Sequence, residues 1–333
     1  MRRRRLTLDQ YRHGVINGNR TVLARAITLI ESSRPDDQEL AQQLLAELLP
    51  HSGAATRVGV TGVPGVGKST FIERFGMFLV ERGHRLAVLA VDPTSQVSGG
   101  SILGDKSRMA RLAQEDGAYI RPSPSASSLG GVARRTRETM ILCEASGFDV
   151  VLVETVGVGQ SETVVADMVD FFLLLMLPGG GDELQGIKRG IVELADVIAV
   201  NKSDGDNLVR AREAKRSYGA ALRYLRPRSD RWRPQAAMIS AKTGHGIESL
   251  WELIGEHRTA LGAELDVRRR GQLERWMWSL IEEELLTTFR KHPAVQHALP
   301  YQRDAVLAGR TTATHAARSL LRSFGLDSEQ LNP

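Results

Sequence analysis

The chain has 333 residues, with 44 basic against 39 acidic, a formal net charge of +5, 42% hydrophobic and 25% charged residues. That apolar content supports a sizeable core in one large or two ordinary domains, and so small a basic excess does not by itself make a nucleic-acid-binding protein. The single cysteine, Cys143, excludes an internal disulfide framework or thiolate cluster, and the longest apolar run, Phe171–Leu177, falls far short of the roughly 20 residues that cross a bilayer. Residues 1–54 read as helical, because Leu23, Ile27 and Ile30, then Leu40, Leu44, Leu45 and Leu48, recur at helical spacing. Pro35-Asp36-Asp37 separates the two runs and starts the second.

From Arg57 the pattern changes to short apolar runs alternating with helical stretches. Strands are expected at 57–61, 86–92, 118–121, 149–155, 171–177, 197–201 and 236–240. Helices are expected at 69–82, 105–116, 131–147, 161–167, 186–195 and 207–226. Consecutive Val, Ile and Leu suit strands covered on both faces, so the expected fold is α/β, a doubly wound and mainly parallel sheet over residues 55–262. Past Gly246 the strands stop. Residues 263–333 read as a helical arm whose apolar face (Leu273, Met277, Leu280, Ile281, Leu285) needs cover from the domain or from a second subunit. Three basic clusters, Arg2–Arg5, Arg210–Arg233 and Arg268–Arg270, read as solvated faces or tails. No apolar signal core follows the first, so a cytoplasmic protein without membrane or nucleic-acid partners is expected.

Gly62-Val63-Pro64-Gly65-Val66-Gly67-Lys68-Ser69, followed by Thr70, fits G-x-x-x-x-G-K-[ST] between a strand and a helix. Its glycines let backbone N–H groups face phosphate oxygens at a helix N-terminus. Lys68 is expected at the β- and γ-phosphates and Ser69 on Mg²⁺. Asn201-Lys202-Ser203-Asp204 follows a strand in the N-K-x-D pattern, and an Asp204 carboxylate can accept both the ring N–H and the amino N–H of guanine. Ser240-Ala241-Lys242 supplies the S-A-K element that reads the guanine carbonyl. Together these point to GTP and GDP rather than adenine nucleotides.

Asp92 and Glu154 end strands, where an α/β sheet opens its ligand crevice, and both are candidates for the Mg²⁺ site. Glu154 begins E-x-x-G, with the Gly157 N–H as a γ-phosphate sensor. Asp105 is a third acidic candidate or a helix start. Val158 stands where a water-orienting glutamine is expected after Gly157, so hydrolysis is expected to be slow without help, unless Asp92 or Asp105 orients the water. The glycine-rich loop 178–188 carries Asp182, Glu183, Gln185 and Lys188, which can exchange ion pairs or simply form a surface turn.

These stretches, with VDPTS at 91–95, GGSILGDKSRM at 99–109, ETVGVGQSE at 154–162 and PGGGDELQGIKRGI at 178–191, closely resemble the MeaB/MMAA family of SIMIBI-class GTPases. The resemblance covers nearly the whole chain. It implies that Asp92, Asp105 and Glu154 are Mg²⁺-site or water-orienting acids. It implies that loop 178–188 is a switch coupling nucleotide state to a partner, and that residues 263–333 form a homodimer arm. The implied partner is an adenosylcobalamin-dependent methylmalonyl-CoA mutase or a close acyl-CoA mutase relative, whose cofactor loading the GTPase gates and which it protects or reactivates. A metallochaperone GTPase is the competing reading, weakened by a lone cysteine and by histidines that form no H-x-H pair. A transport ATPase or kinase is disfavoured by Asn201–Asp204.

Overall fold

The computed structural model describes residues 5–91, 109–122, 129–155, 161–179 and 189–326. The chain divides into two compact units, Met1–Arg269 and Arg270–Pro333.

The first unit opens with three helices, α1 (Leu8–Ile16), α2 (Arg20–Glu31) and α3 (Pro35–Leu48). Each start has a local cause. Thr7 and Gln10 form a reciprocal capping box on α1, the Asn19 side chain accepts from the Thr21 and Val22 amides on α2, and Pro35 opens α3 with Asp36 and Asp37 in its first turn. The sheet follows: β1 (Thr56–Gly62), α4 (Lys68–Glu81), β2 (Leu86–Val91), β3 (Ala118–Arg121), α5 (Leu129–Ala145), β4 (Val150–Thr155) and α6 (Ser161–Ala166). β5 (Phe171–Met176), α7 (Arg189–Leu194), β6 (Val197–Val200), α8 (Leu208–Leu222), β7 (Gln235–Met238) and α9 (Ile247–Leu261) complete it. α10 (Glu264–Lys291) leads out of this unit.

All strand pairs are parallel, in the order β3-β2-β4-β1-β5-β6-β7, with β1 between β4 and β5. The two-residue period of each strand divides its side chains between the faces. Val58, Leu86, Val88, Val150, Leu152, Leu173 and Leu175 pack with Phe71, Phe75 and Leu79 of α4 and Ile254 of α9. The alternate residues Ala87, Leu89, Val151, Val153 and Phe172 pack with Leu23, Ile27, Leu44 and Leu48, so α2 and α3 share one core with the sheet. Farther along that face, Leu174, Met176, Ile198 and Val200 meet Tyr218 and Leu222 of α8.

Two helix expectations need correction. Among the described residues of 105–116, the backbone forms only a turn and a short 3-10 segment at Leu112–Gln114. α8 stops at Leu222, short of 226, and it could not have run through 226, because Pro227 disfavours helical backbone at the residue before it.

The amino end of the sheet, where β5 and β6 begin, is tied by two buried carboxylates. Asp170 accepts from the Arg57 amide at 3.0 Å and from Arg269 Nε and Nη2 at 2.8 and 2.6 Å, while Arg269 also donates to the Ala55 carbonyl at 2.7 Å. Asp196 accepts from the Phe172 amide at 2.8 Å, and Arg268 donates to the Asp170 carbonyl at 2.9 Å. Removing one member of such a pair leaves a buried charge unmatched. Asp170→Ala is expected to destabilise the first unit by about 3 kcal/mol, read as a lower denaturant midpoint; an unchanged midpoint would show that the pair adds nothing to stability.

Among the described residues, no helix is long and apolar enough to cross a membrane. Cys143 is fully buried and burial pushes its thiol pKa up, so it is no thiolate ligand.

The second unit continues α10 and adds α11 (Pro293–Leu307) and α12 (Ala313–Phe324). Phe324 meets Phe289 and His292 edge-on, with ring centroids 5.4 and 5.2 Å apart, and Gln302 donates to Ser319 at 2.9 Å.

Candidate functional site

Three loops converge at the carboxyl ends of β1, β6 and β7, and their hydrogen bonds interlock. The first joins β1 to α4. Gly62 has a φ of 152°, and a Cβ there would lie 2.5 Å from the Leu175 carbonyl oxygen on β5. Gly67 has a φ of 97°, in the left-handed region, and caps α4 where a Cβ would lie 2.9 Å from Asn201 Nδ2. Only glycine meets both requirements, conformation and close approach. The loop therefore ends on the exposed amides of a helix N-terminus, a ready anion site.

Asn201 links the other two loops to this one. Its Nδ2 donates to the Val66 carbonyl at 2.9 Å, and its Oδ1 accepts from the Ala241 amide at 3.0 Å. Lys202 has a φ of 57°, uncommon for a residue with a β-carbon, and its Nζ donates to the Gly65 carbonyl at 2.9 Å. Ser203 bonds the Val200 carbonyl at 2.8 Å and Ser240 Oγ donates to Asp204 Oδ1 at 2.7 Å. The Ser240 hydroxyl also accepts from the Thr243 amide at 3.1 Å, so one serine fixes both its own turn and the carboxylate of Asp204.

Lys68 donates to the Gly62 and Val63 carbonyls at 2.7 and 3.3 Å. Burial lowers its pKa below the ordinary lysine value, and the carboxylates of Glu154 and Glu162 oppose that shift. Glu154, next to last in β4, lies beside Val60 of β1, and Thr155 donates to Thr61 at 2.7 Å across the same pair of strands. Hard oxygen donors (the Ser69 hydroxyl on α4 and the Glu154 carboxylate) thus belong to the same end of the sheet, a donor chemistry suited to Mg²⁺. Among the described residues, no three His, Cys, Asp or Glu side chains are already grouped as a metal site.

The structure thus brings together Gly62–Thr70, Glu154, Asn201–Asp204 and Ser240–Lys242. Asp92, Asp105, Gly157, Asp182, Glu183, Gln185 and Lys188 lie outside the described residues. Two participants escaped the sequence reading. Glu162 acts on Lys68 from the first turn of α6, and its signal was its place at the end of the 154–162 stretch. Arg74 of α4 donates to the Ala241 and Lys242 carbonyls at 3.3 and 2.8 Å, shaping the third loop with no sequence signal beyond its place on the helix after Lys68.

Comparison with known proteins agrees with this geometry. The family model "Methylmalonyl Co-A mutase-associated GTPase MeaB" matches residues 23–294. A Caulobacter vibrioides protein is 55% identical over 324 residues, covering 96% of this chain and 99% of its own length. The mouse methylmalonic aciduria type A homolog, named as mitochondrial, is 50% identical over 329 residues, covering 95% of this chain and 79% of its own length. The Escherichia coli GTPase ArgK is 52% identical over 271 residues, 81% of this chain and 82% of its own. A crystal structure titled LAO/AO transport system kinase superposes with a TM-score of 0.78 at 40% identity, covering 96% of this chain and 98% of that one. With that fold, loop geometry and kinship, the chain belongs to the MeaB family of P-loop GTPases and is a GTP hydrolase.

Proposed function

We propose that this GTPase uses Mg²⁺ and GTP hydrolysis to act as a chaperone of an adenosylcobalamin-dependent methylmalonyl-CoA mutase or a close acyl-CoA mutase relative. In this role it gates cofactor loading and protects or reactivates the mutase. The observation that carries the reading is the family match over residues 23–294, whose description names association with that mutase. The mouse relative's name supports it.

In this reading the amides of Gly62–Thr70 cradle the phosphates, Lys68 neutralises charge on the β- and γ-oxygens, and Asp204 and the Ser240–Lys242 turn read guanine. Ser69 and Glu154, with Asp92 and Asp105, would hold Mg²⁺ and its waters, and the metal would neutralise charge developing on the phosphates. Gly157 would sense the γ-phosphate. Asp182, Glu183, Gln185 and Lys188 would pass that state to the mutase. A cytoplasmic location belongs to the same reading, supported by the lone, buried thiol.

The test is GTP against ATP turnover with and without purified mutase. Stimulation of GTP turnover alone supports the proposal, and indifference to the mutase rejects it. Lys188→Ala and Gln185→Pro are expected to lose the stimulated rate while basal turnover survives; equal loss of both rates would place the loop in basal chemistry.

The homodimer arm belongs to the proposal too. Leu273, Met277 and Ile281 recur every fourth residue on α10, exposed by 55, 50 and 38%, an apolar stripe that a second copy would cover. Met277→Lys combined with Ile281→Lys is expected to give a monomer by light scattering, and a persisting dimer would place the interface elsewhere.

A further inference from the structure

The basic segment after β6 has no part in the nucleotide loops, and the structure gives it a shape. Arg212, Lys215 and Arg216 on α8, with Arg223 at its C-cap in helical backbone, line one side of a groove of about 690 Å³. Their spacing of three, four and eleven residues places all four on one helical stripe. None makes an ion pair among the described residues, although eleven other arginines of this unit do. Gly219 and Ala220 interrupt the stripe with small side chains. A Cβ on Gly219 would meet only the Ala236 Cβ, at a van der Waals distance of 3.9 Å, so a small side chain fits between helix and strand there without a clash.

The floor of the groove is Ala236 and Met238 of β7, the last strand of the sheet. The Gln235 amide donates to the Asp196 carbonyl and the Ile239 amide to that of Val200, so alternate residues turn their backbone groups toward β6. By the two-residue period, Ala236 turns its N–H and C=O to the open edge. An edge unpaired among the described residues, beside a cationic stripe, is complementary to an extended chain bearing carboxylates. The lengths agree. The eleven helical steps from Arg212 to Arg223 span roughly 16 Å, as do about five residues of extended peptide.

We propose that this groove docks an extended acidic segment of a partner protein, added as a strand along β7 with alternate carboxylates on the α8 cations. A nucleic acid fits less well. Tyr218 and Trp232 are 1 and 7% exposed, and Tyr224, at 91%, is one exposed ring where a nucleic-acid strand would stack successive bases on several.

The test is fluorescence anisotropy with a labelled peptide of about seven residues alternating Glu and Val, its Gln-for-Glu counterpart, and a single-stranded oligonucleotide of matched charge. Three variants are compared with the parent: Arg212→Gln with Arg216→Gln, Ala236→Pro, which removes the outward N–H, and Gly219→Leu, which fills the groove. GTP turnover in each preparation reports that the fold and the nucleotide loops are intact. Binding of the acidic peptide, weakened at least tenfold by the double charge variant, by neutralising the peptide and by either groove variant, is the expected result. No binding, binding unaltered by the variants, or tighter binding of the oligonucleotide overturns the proposal. It does not rest on the mutase reading, and either can fail alone.

Discussion

Asp204→Asn is expected to lower GTP affinity about 10³-fold and to make xanthosine triphosphate the better ligand. A carboxylate accepts from both the ring N–H and the amino group of guanine, and each charge-assisted bond is worth about 1.5–3 kcal/mol. Asparagine keeps one acceptor but turns a donor toward the guanine amino group, so attraction becomes a donor–donor clash. Xanthine carries a carbonyl at that position, which the new amide can satisfy. The exchange should leave the fold intact, because Ser240 Oγ needs only an acceptor at Oδ1, where it now lies 2.7 Å from Asp204. Titration with fluorescent GTP and xanthosine analogues measures the change. Equal loss of both nucleotides would mean that Asp204 shapes the loop and does not read the base. Ser240→Ala is the companion: it frees the carboxylate to rotate and should weaken GTP by about tenfold without changing base preference.

The parts of this molecule legible in its sequence are those whose cause is local. β4 reads as a strand because Val150–Val153 are apolar on consecutive positions, and a strand covered on both faces needs that. Gly62, Gly67, Asn201 and Asp204 are legible because phosphate and base recognition demand those residue types at fixed offsets from strand ends. What stayed hidden depends on chain segments far apart in sequence. Nothing near Asp170 announces Arg269, almost a hundred residues on, and Arg74 resembles any exposed arginine until the third loop lies across it. The helix expected at 105–116 is replaced, among its described residues, by a turn and a 3-10 segment at Leu112–Gln114. Met109 and Leu112 are buried in the core beside the sheet, so their three-residue spacing serves packing without a helix.

Lys68→Ala is expected to lower kcat/KM for GTP by about 10³–10⁴-fold while changing the melting temperature by only a few degrees. The two effects separate because the ammonium is held at a cost to folding. Burial lowers its pKa, so the charged form is disfavoured in the folded protein, while Glu154 and Glu162 recover part of that cost. Because folding lowers this pKa, the folded state binds fewer protons than the unfolded chain as pH approaches the ordinary lysine value of 10.5. The Lys68 contribution to stability therefore rises with pH up to that value, and the alanine variant lacks the rise. Denaturant midpoints compared at neutral and alkaline pH measure it, and identical pH dependence in parent and variant would refute the burial cost. Lys68→Arg should not restore turnover. Nζ fits between the Gly62 and Val63 carbonyls as a compact point charge at 2.7 and 3.3 Å, and a planar guanidinium is too broad for that place. Full activity in the arginine variant would show that charge alone suffices, and a large fall in stability in the alanine variant would recast Lys68 as a structural tie of its loop.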